Sequence, residues 1–454
     1  MFLLIENTNK LPSSVIGLRS IFKTMNYYSL NKKAPNASFK DAVIKGLAPD
    51  KGLYFPESIT PLPKSFFDNI DNLSYSEIAF EAIKQFVSPE IPEDILKTIV
   101  EETLSFDFPV VNLNESISTL ELFHGPTMAF KDVGARFMAR CLGYFNKDNT
   151  NEVTVLVATS GDTGGAVANG FLGVKGVNVV ILYPSGKVSD IQEMQLTTLG
   201  QNIKALEVNG TFDDCQAMVK NAFLDETLTS QMQLTSANSI NVARWLPQLF
   251  YFMFAYKQLH NQHDDIVFSV PSGNFGNVCA GMMAQQLGLP ITHFVASNNA
   301  NNVVTRYLTS QLYEPKPSVQ TISNAMDVGA PSNFIRIQEI YKNKFETLKD
   351  NLTSYSFTDD ETKEAMLEIY NNFNYVADPH GAVGYLGCKA FLKENPKTHC
   401  IFLETAHPTK FLDVVEEVIK EKQPLPEQIQ AVMGKDKVAG LISTYEDLKT
   451  FLLK

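Results

Sequence analysis

The sequence predicts an α/β fold in which mostly parallel, twisted sheets are covered by helices. Continuous apolar runs of strand length recur between residues 153 and 296, which is typical of strands buried within a parallel sheet. Segments of helical periodicity separate these runs, and such alternation indicates βαβ units. Because the chain has 454 residues and single cores rarely grow beyond about 300 residues, we expect two or three domains.

Residues 25–120 predict a mixed α+β unit. The period of Asp41–Leu47 is helical and ends with Gly46, and Gly52–Pro56 reads as a short strand ended by proline. Helical patterns follow at about 76–86 and 92–104. This unit therefore precedes the regular alternation of strands and helices.

Residues 1–24 are interpreted as an extension or a misassigned start, since Met25 opens the part that reads as a domain. Their apolar runs are too short for a signal peptide or a membrane span. An organellar transit peptide is the alternative.

The region after residue 121 predicts two α/β units, 121–260 and 261–454. Ligands in parallel sheets lie beyond the carboxyl ends of the strands, so the residues that follow each strand are the candidates for a site. The predicted strands are 153–158, 177–183, 203–208, 232–236, 266–270 and 291–296, and the predicted helices lie near 190–199, from 213 onward, at 242–259 and at 278–287.

The composition excludes several classes of function. The net charge of −12 argues against a nucleic-acid-binding or basic membrane-binding face. The five cysteines are widely spaced without a C-x-x-C pair, which favours a reducing compartment over disulfides or a zinc site. We therefore expect a cytoplasmic protein that binds a small molecule, as a monomer or homodimer and without a metal.

Lys131 is the strongest catalytic candidate. It follows a tight, nearly uncharged turn, 123–130, and begins an amphipathic pattern. Loss of hydration in such a pocket favours the neutral amine, which can form a Schiff base and transfer protons. The alternative is an exposed lysine on a helix face. Two glycine-rich turns downstream favour the first interpretation.

Each glycine-rich turn lies between a predicted strand and a predicted helix. The first is 158–165 and the second is 271–277. Free N–H groups at a helix N-terminus bind anions, and glycine allows close approach to a phosphate. The alternative for the first turn is an ordinary helix cap. The second turn is neither a P-loop nor a G-x-G-x-x-G motif.

Two further segments carry polar side chains to the same edge. Arg244 comes about one helical turn after Asn238–Asn241 and could meet a phosphate or carboxylate; the alternative is a surface arginine. Thr405 follows the apolar run Ile401–Leu403, and His407 reads as a structural histidine. A desolvated lysine, two anion sites and an arginine together indicate an imine and two anions. Pyridoxal 5′-phosphate would supply the aldehyde and one phosphate.

The motif His124–Asp132 resembles the cofactor-lysine motif of the threonine synthase family. The resemblance extends from about residue 25 to past Phe411, because further motifs agree in type and order. These motifs are 38–39 with 52–56, 160–164, 238–241, 273–277, 324–328, 378–381 and 405–408.

The resemblance implies a fold type II pyridoxal-phosphate enzyme with two α/β domains and an N-terminal unit. Residues 121–260 would form the small domain that carries the lysine, and 261–454 the large domain with the cofactor-phosphate turn. The implied reaction converts O-phospho-L-homoserine and water to L-threonine and phosphate, the last step of threonine biosynthesis.

The resemblance also implies a role for each site residue. Lys131 would be the catalytic residue, as the Schiff-base lysine that moves protons at Cα and Cβ. The cofactor-binding residues would be Lys131, Asp162, Gly273, Asn274, Phe275, Gly276, Asn277 and Thr405. The substrate-binding residues would be Ser160, Gly161, Thr163, Ser239, Asn241 and Arg244.

Asp162 departs from the pattern of many fold type II relatives, which carry asparagine there against the 3′-oxygen of the cofactor. An ionised carboxylate would repel that oxygen. Asp162 therefore turns away, is protonated, or stands one residue from the equivalent position, and these possibilities stay open.

The main alternative is another fold type II enzyme, such as a threonine or serine dehydratase or a β-replacement enzyme. Such enzymes need no second phosphate site, so Ser239 and Arg244 favour the first interpretation. A catalytically silent relative is disfavoured by the intact Lys131. A dinucleotide-binding oxidoreductase is disfavoured by the missing G-x-G-x-x-G motif.

Overall fold

A computed structural model of the chain describes residues 24–148 and 152–454. The interpretation of residues 1–24 as an extension falls, except for Thr24, outside the described residues. The described strands and helices are numbered below in chain order.

The strands are β1 (Tyr27–Ser29), β2 (Tyr54–Pro56), β3 (Val110–Asn112), β4 (Ile117–Glu121), β5 (Val153–Ala158), β6 (Val177–Pro184), β7 (Ile203–Val208), β8 (Gln233–Ser236), β9 (Ile266–Pro271), β10 (His293–Asn298), β11 (Leu352–Ser356), β12 (His399–Glu404) and β13 (Gly440–Ile442).

The helices are α1 (Phe39–Lys45), α2 (Lys64–Asp68), α3 (Tyr75–Val87), α4 (Glu93–Thr103), α5 (Lys131–Asn146), α6 (Asp162–Phe171), α7 (Asp190–Thr197), α8 (Phe212–Leu224), α9 (Glu226–Gln231), α10 (Val242–Trp245), α11 (Leu249–Leu259), α12 (Gly276–Gln286), α13 (Val303–Ser310), α14 (Phe334–Ile340), α15 (Phe345–Asn351), α16 (Asp359–Phe373), α17 (Pro379–Glu394), α18 (Leu412–Ile419), α19 (Glu427–Met433) and α20 (Tyr445–Leu452). Short 3₁₀ turns occur at Ile70–Asn72, Leu246–Gln248, Asn324–Met326 and Pro408–Phe411.

Two mostly parallel sheets organise the molecule. The larger has the strand order β11-β10-β9-β12-β4-β3, and the smaller has the order β13-β7-β6-β5-β8. All pairs are parallel except β3 with β4 in the larger sheet and the separate pair of β1 with β2. The predicted α/β class with mostly parallel sheets is confirmed.

The main hydrophobic core combines residues of both sheets with residues of helices α5, α6, α11 and α12. Successive residues of a strand point to opposite faces, and one face of each sheet contributes to this core, as with Phe268 of β9 and Val157 of β5. The outer face of the larger sheet, which includes Val267, packs on α16 and α17. The outer face of the smaller sheet, which includes Leu156, packs on α8. Helices therefore cover both faces of each sheet, as predicted.

The sheets are not continuous in sequence. The early strands β3 and β4 belong to the larger sheet, and β13, close to the end of the chain, joins the smaller one. The two sheets are therefore tied together by segments at both ends of the described chain. The domain boundaries at residues 121 and 261 stay predictions.

The predicted continuous helix over 242–259 is wrong. The chain forms α10, then a 3₁₀ turn at Leu246–Gln248, and then α11. Pro247 causes the break, because it has no N–H to donate and its ring clashes with the preceding turn. The predicted strand at 291–296 is observed as β10, at His293–Asn298. Within the described residues, no helix is both long and apolar enough to cross a membrane.

Candidate active site

Lys131 lies where two strands of the larger sheet end. It is the first residue of α5, a short loop after β4, and β4 pairs in parallel with β12. The loops that follow the two strands are themselves joined. Phe130 N–H donates to the Thr405 carbonyl over 2.8 Å, and His407 N–H donates to the Met128 carbonyl over 3.0 Å. Lys131 and Thr405 are thereby brought to the same place, as the sequence predicts.

The turn before Lys131 is closed by a buried carboxylate. Asp132 accepts hydrogen bonds from the Thr127 backbone over 2.9 Å and from the Thr127 hydroxyl over 2.5 Å. A side chain at Gly125 would meet this carboxylate at 2.4 Å, so only glycine fits there without displacing it. Met128 adopts a left-handed conformation with φ of 58°. The turn therefore fixes the direction in which the chain enters α5.

Burial lowers the pKa of the Lys131 amine. Asp162 opposes this shift, whereas the positive charges of Lys410 and Arg244 add to it. The net lowering of this pKa increases the share of the neutral amine, which is the form that attacks an aldehyde and accepts protons. The desolvation that the sequence predicts is thus present.

The first glycine turn is held by the Thr159 hydroxyl. This hydroxyl accepts from the N–H groups of Gly161 and Gly164 at 3.0 and 2.9 Å. Gly161 has φ of 144°, and a side chain there would meet Gln192 at 2.4 Å. Ser160 and Thr163, on either side, are partly exposed. The turn opens α6, as predicted, and leaves two hydroxyl side chains accessible.

Asp162, the first residue of α6, is buried and ionised. Lys410 Nζ lies 2.7 Å from its carboxylate, and Gln192 Nε2 donates to it over 2.9 Å. Burial alone would raise the pKa of Asp162, but Lys410 and Lys131 outweigh burial and hold this pKa well below its ordinary value. Of the three possibilities for Asp162, protonation is therefore disfavoured.

The second glycine turn joins β9 to α12. A side chain at Gly273 would lie 2.7 Å from Cα of Met326, which makes glycine necessary there. Phe275 has φ of 60° and directly precedes Gly276, the first residue of α12. Asn277 Nδ2 donates to the Pro271 carbonyl over 2.8 Å. The turn is thus a rigid loop at a helix N-terminus, the predicted form of a phosphate site.

The structure brings Ser239 to the second turn. Asn274 Nδ2 donates to the Ser239 hydroxyl over 2.7 Å. Asn274 also accepts from the Ser332 N–H over 2.5 Å through its side chain and from the Asn333 N–H over 3.2 Å through its carbonyl. Two residues predicted to bind different ligands are therefore direct neighbours.

Arg244 is buried in α10 and is not a surface arginine. Its Nη1 donates to the Ala237 carbonyl, whereas its Nε has no hydrogen-bond partner among the described residues. Burial lowers the pKa of Arg244 to about 10, so it remains a cation at neutral pH. A buried cation with an unused donor is suited to hold an anionic group.

Asn241 has a structural use of its own. Its side-chain oxygen caps α10 by accepting from the Ala243 N–H over 3.0 Å, and its Nδ2 donates to the Val43 carbonyl over 2.8 Å. These contacts hold α10, and therefore Arg244, against α1. Its predicted role in binding substrate stays a prediction.

Sequence reasoning missed three residues at the site. Lys410 is completely buried, and Gln192 contacts both Gly161 and Asp162. Arg336 is also completely buried: it donates to the Ile240 carbonyl over 2.7 Å and stacks on Trp245. Lys410 lies within the segment 405–411 and could have been noticed as a lysine after a buried strand. Nothing in the local sequence distinguishes Gln192 or Arg336.

The described residues fit pyridoxal 5′-phosphate. Lys131 is a desolvated amine next to the end of β12, where Thr405 lies. The second glycine turn is a cradle that a side chain at Gly273 would disrupt. The described residues contain no group of histidine, cysteine, aspartate and glutamate side chains that could hold a metal.

Three family models match the chain. Residues 113–406 match the pyridoxal-phosphate dependent enzymes. Residues 26–104 match the threonine synthase N terminus, and 381–451 match the threonine synthase C-terminal region.

The chain is similar to known threonine synthases over almost its whole length. It is 43% identical to the enzyme of Buchnera aphidicola from Acyrthosiphon pisum, over 95% of this chain and 100% of that one. The crystal structure of the Escherichia coli enzyme matches with a TM-score of 0.89 and 40% identity, over 94% of this chain and 99% of that one. The PLP-bound Brucella melitensis enzyme matches with a TM-score of 0.88 and 32% identity, over 94% and 99%.

A threonine deaminase from Solanum lycopersicum shares the fold alone. Its structure matches with a TM-score of 0.55 and 14% identity, over 79% of this chain and 95% of that one. The dehydratase alternative therefore has far weaker support than the threonine synthases. The chain has the fold type II architecture, uses pyridoxal 5′-phosphate as a lyase, and belongs to the threonine synthase family.

Proposed function

We propose that the protein converts O-phospho-L-homoserine and water to L-threonine and phosphate. The observation that carries this proposal is the buried Lys131 amine with Arg244 acting on it as a second buried cation. A lysine for the cofactor aldehyde and a separate cation for a second anion are what a phosphorylated amino-acid substrate requires. A dehydratase would need only the first.

Binding is divided between the two glycine turns. Gly273, Phe275, Gly276 and Asn277 would hold the cofactor phosphate at the N-terminus of α12, and Asn274 would reach from there to Ser239. Ser239 and Arg244 would hold the substrate phosphate, with Asn241 fixing the helix that carries the arginine. Helix N-termini and buried guanidinium groups both favour bound anions.

The substrate carboxylate would bind at the first glycine turn. Ser160 and Thr163 present hydroxyl groups there, and Gly161 allows close approach of a ligand to the backbone. The Thr405 hydroxyl would contact the pyridine nitrogen, since the end of β12 is joined to the loop before Lys131. Asp162 would remain a carboxylate at the start of α6, with Lys410 as its counter-ion.

Lys131 would move protons at two substrate atoms. When bound, pyridoxal 5′-phosphate supplies an electron sink for negative charge that develops at Cα. The neutral Lys131 amine would remove the Cα proton and then a Cβ proton, and Arg244 would neutralise the phosphate as it leaves from Cγ. Protons would return to Cγ and, through Lys131, to Cα. Water would add its hydroxyl at Cβ and give its other proton to the departing phosphate. The pKa of Lys131, lowered mainly by burial, suits an amine that both accepts and donates protons.

The test is a coupled measurement on the purified protein. O-phospho-L-homoserine should release phosphate and form L-threonine in equal amounts, and Lys131→Ala should do neither. Release of ammonia and a 2-oxo acid in place of threonine would instead support the dehydratase alternative.

We further propose a cytoplasmic monomer or homodimer whose partner is this small-molecule substrate. All five cysteines, which lie in the described residues, are free and buried, and this supports a reducing compartment. Light scattering of the purified protein would measure its mass against the 50.5 kDa of one chain.

A further inference from the structure

Lys410 joins three segments that are far apart in sequence. It follows β12, its Nζ donates to the Thr127 carbonyl over 2.8 Å, and the same Nζ lies 2.7 Å from Asp162. Thr127 belongs to the turn before Lys131, and Asp162 begins α6. Lys410 is completely buried, so its charge is not screened by water as a surface lysine would be. A single ammonium group thus connects the larger sheet, the turn 123–130 before Lys131 (the lysine turn) and the first glycine turn.

The contribution of this buried ion pair to folding stability does not by itself explain why Lys410 is buried here. Burying an ion pair costs hydration free energy, and replacing such a pair by apolar side chains of similar volume is often neutral or stabilising. The pair of Lys410 with Asp162 is therefore weak as a device for stability alone. Its position beside Lys131 indicates another use.

The charged side chains that act most strongly on the Lys131 amine belong to three of the described residues. Asp162 of α6 attracts a proton to the amine, whereas Lys410 and Arg244 repel one. Lys410 also faces Asp132, whose carboxylate is bonded to Thr127. His407 faces Lys410 as well, but burial lowers its pKa to about 4, so it is uncharged at neutral pH.

We propose that Lys410 is a positioning residue of the reaction centre. Its positive charge keeps Asp162 ionised and at the same time offsets the negative charge of Asp162, so that Asp162 does not hold the Lys131 amine in its protonated form. Lys410 acts on Lys131 in two ways that have the same sign. It repels a proton from the amine directly, and it offsets the attraction of Asp162. The proposal rests on the proposed function only in that Lys131 is the amine that captures the cofactor.

The experiment measures cofactor capture by the full-length chain freed of cofactor. The rate at which added pyridoxal 5′-phosphate forms the lysine-bound absorbance is followed from pH 6 to 10 without substrate, so the result does not depend on which substrate the enzyme uses. Lys410→Gln removes the positive charge that repels a proton from the Lys131 amine, and it leaves the attraction of Asp162 for that proton without an offset. The midpoint of this pH profile should therefore rise by about 1 unit. Capture at pH 7 should then be about tenfold slower.

Three matched variants separate charge from structure. Lys410→Arg keeps the charge and should keep the midpoint near that of the parent. Asp162→Asn leaves Lys410 unopposed and should lower the midpoint. Lys437→Gln is the control, because Lys437 pairs with Glu193 and Glu207 at the surface and should leave the profile unchanged.

Opposite shifts for Lys410→Gln and Asp162→Asn support the proposal, and an unchanged midpoint in both overturns it. If Lys410→Gln does not fold, as judged by circular dichroism, Asp162→Asn decides alone: a lower midpoint supports the proposal, and an equal or higher one overturns it. Failure of the parent enzyme to form threonine would overturn the proposed function and leave this result intact.

Discussion

The two glycine turns share a backbone plan and differ in their charges. Each follows a buried parallel strand and opens a helix. The charged turn, Ser160–Thr163, contains Asp162 and faces Lys410 and Lys131. The neutral turn, Gly273–Asn277, is bonded to Ser239, Ser332 and main-chain groups. Two turns of similar backbone geometry thus differ in their surroundings: the charged turn faces the Lys131 amine, whereas the neutral turn is held by hydrogen bonds to uncharged groups.

The difference shows where the chemistry of a glycine turn comes from. The backbone of both turns provides a helix N-terminus, which favours any anion. Buried charges from other segments decide what else happens there, since charges interact strongly where water is excluded. We therefore expect charge near the first turn to influence the protonation of Lys131, and the second turn to bind an anion by its shape and hydrogen bonds.

The largest expected effect is at Lys131, which the charged turn faces. Lys131→Ala should abolish both turnover and the absorbance of the lysine-bound cofactor, because it removes the amine that forms the imine. A spectrum and a phosphate-release assay measure both. Lys204→Ala, at an exposed position on β7, is the control and should behave as the parent. Near-normal activity in Lys131→Ala would contradict the role of this residue.

The next effect tests the neutral turn through its shape. The new Cβ in Gly273→Ala would lie 2.7 Å from Met326 Cα and 3.0 Å from the Ala325 carbonyl oxygen. Backbone would have to move, which costs about 1–3 kcal/mol and should weaken cofactor affinity by about tenfold or more. Equilibrium titration with pyridoxal 5′-phosphate measures this change.

Gly434→Ala is the matched control for the neutral turn. A side chain there would meet nothing within 4 Å, and its φ of −93° suits any residue. Equal cofactor affinity in the two alanine variants would show that the shape of the neutral turn does not determine binding.

Arg244 tests whether a second anion is held near Lys131. Arg244→Ala should raise KM for O-phospho-L-homoserine by a factor that corresponds to about 1.5–3 kcal/mol, the usual strength of a charge-assisted contact. Steady-state kinetics measure it, and Arg140→Ala, which removes a partly exposed ion pair with Glu102, is the control. Unchanged KM and kcat would exclude Arg244 from the phosphate site.

The sequence predicted local features of the site better than long-range ones. The lysine turn and both glycine turns are short motifs, and they lie where the strand pattern puts them. Lys410 was missed because its role depends on Thr127, 283 residues away in sequence, and on Asp162. The break at Pro247 was missed because the apolar residues on both sides of Pro247 and Gln248 favoured one helix across them. Contacts between distant segments carry no signal in a single sequence.

The smallest expected effect concerns the contact between Ser239 and the neutral turn. Ser239→Ala removes the hydroxyl that accepts from Asn274 Nδ2 over 2.7 Å. Ser239 is partly exposed, so water can replace part of the lost bond, and the change should be about 0.5–1.5 kcal/mol. We expect KM for O-phospho-L-homoserine to rise by about two- to tenfold with little change in cofactor affinity.

A double-mutant cycle with Asn274→Ala sharpens this last measurement. Because the two side chains are in direct contact, their effects on KM should not add, and the coupling should be at least about 0.5 kcal/mol. Ser230→Ala, at an exposed position in α9, should show no coupling to Asn274→Ala. Additive effects of Ser239→Ala and Asn274→Ala would mean that the neutral turn and the substrate-phosphate residues act independently. The proposed contribution of Asn274 to substrate binding through Ser239 would then be wrong.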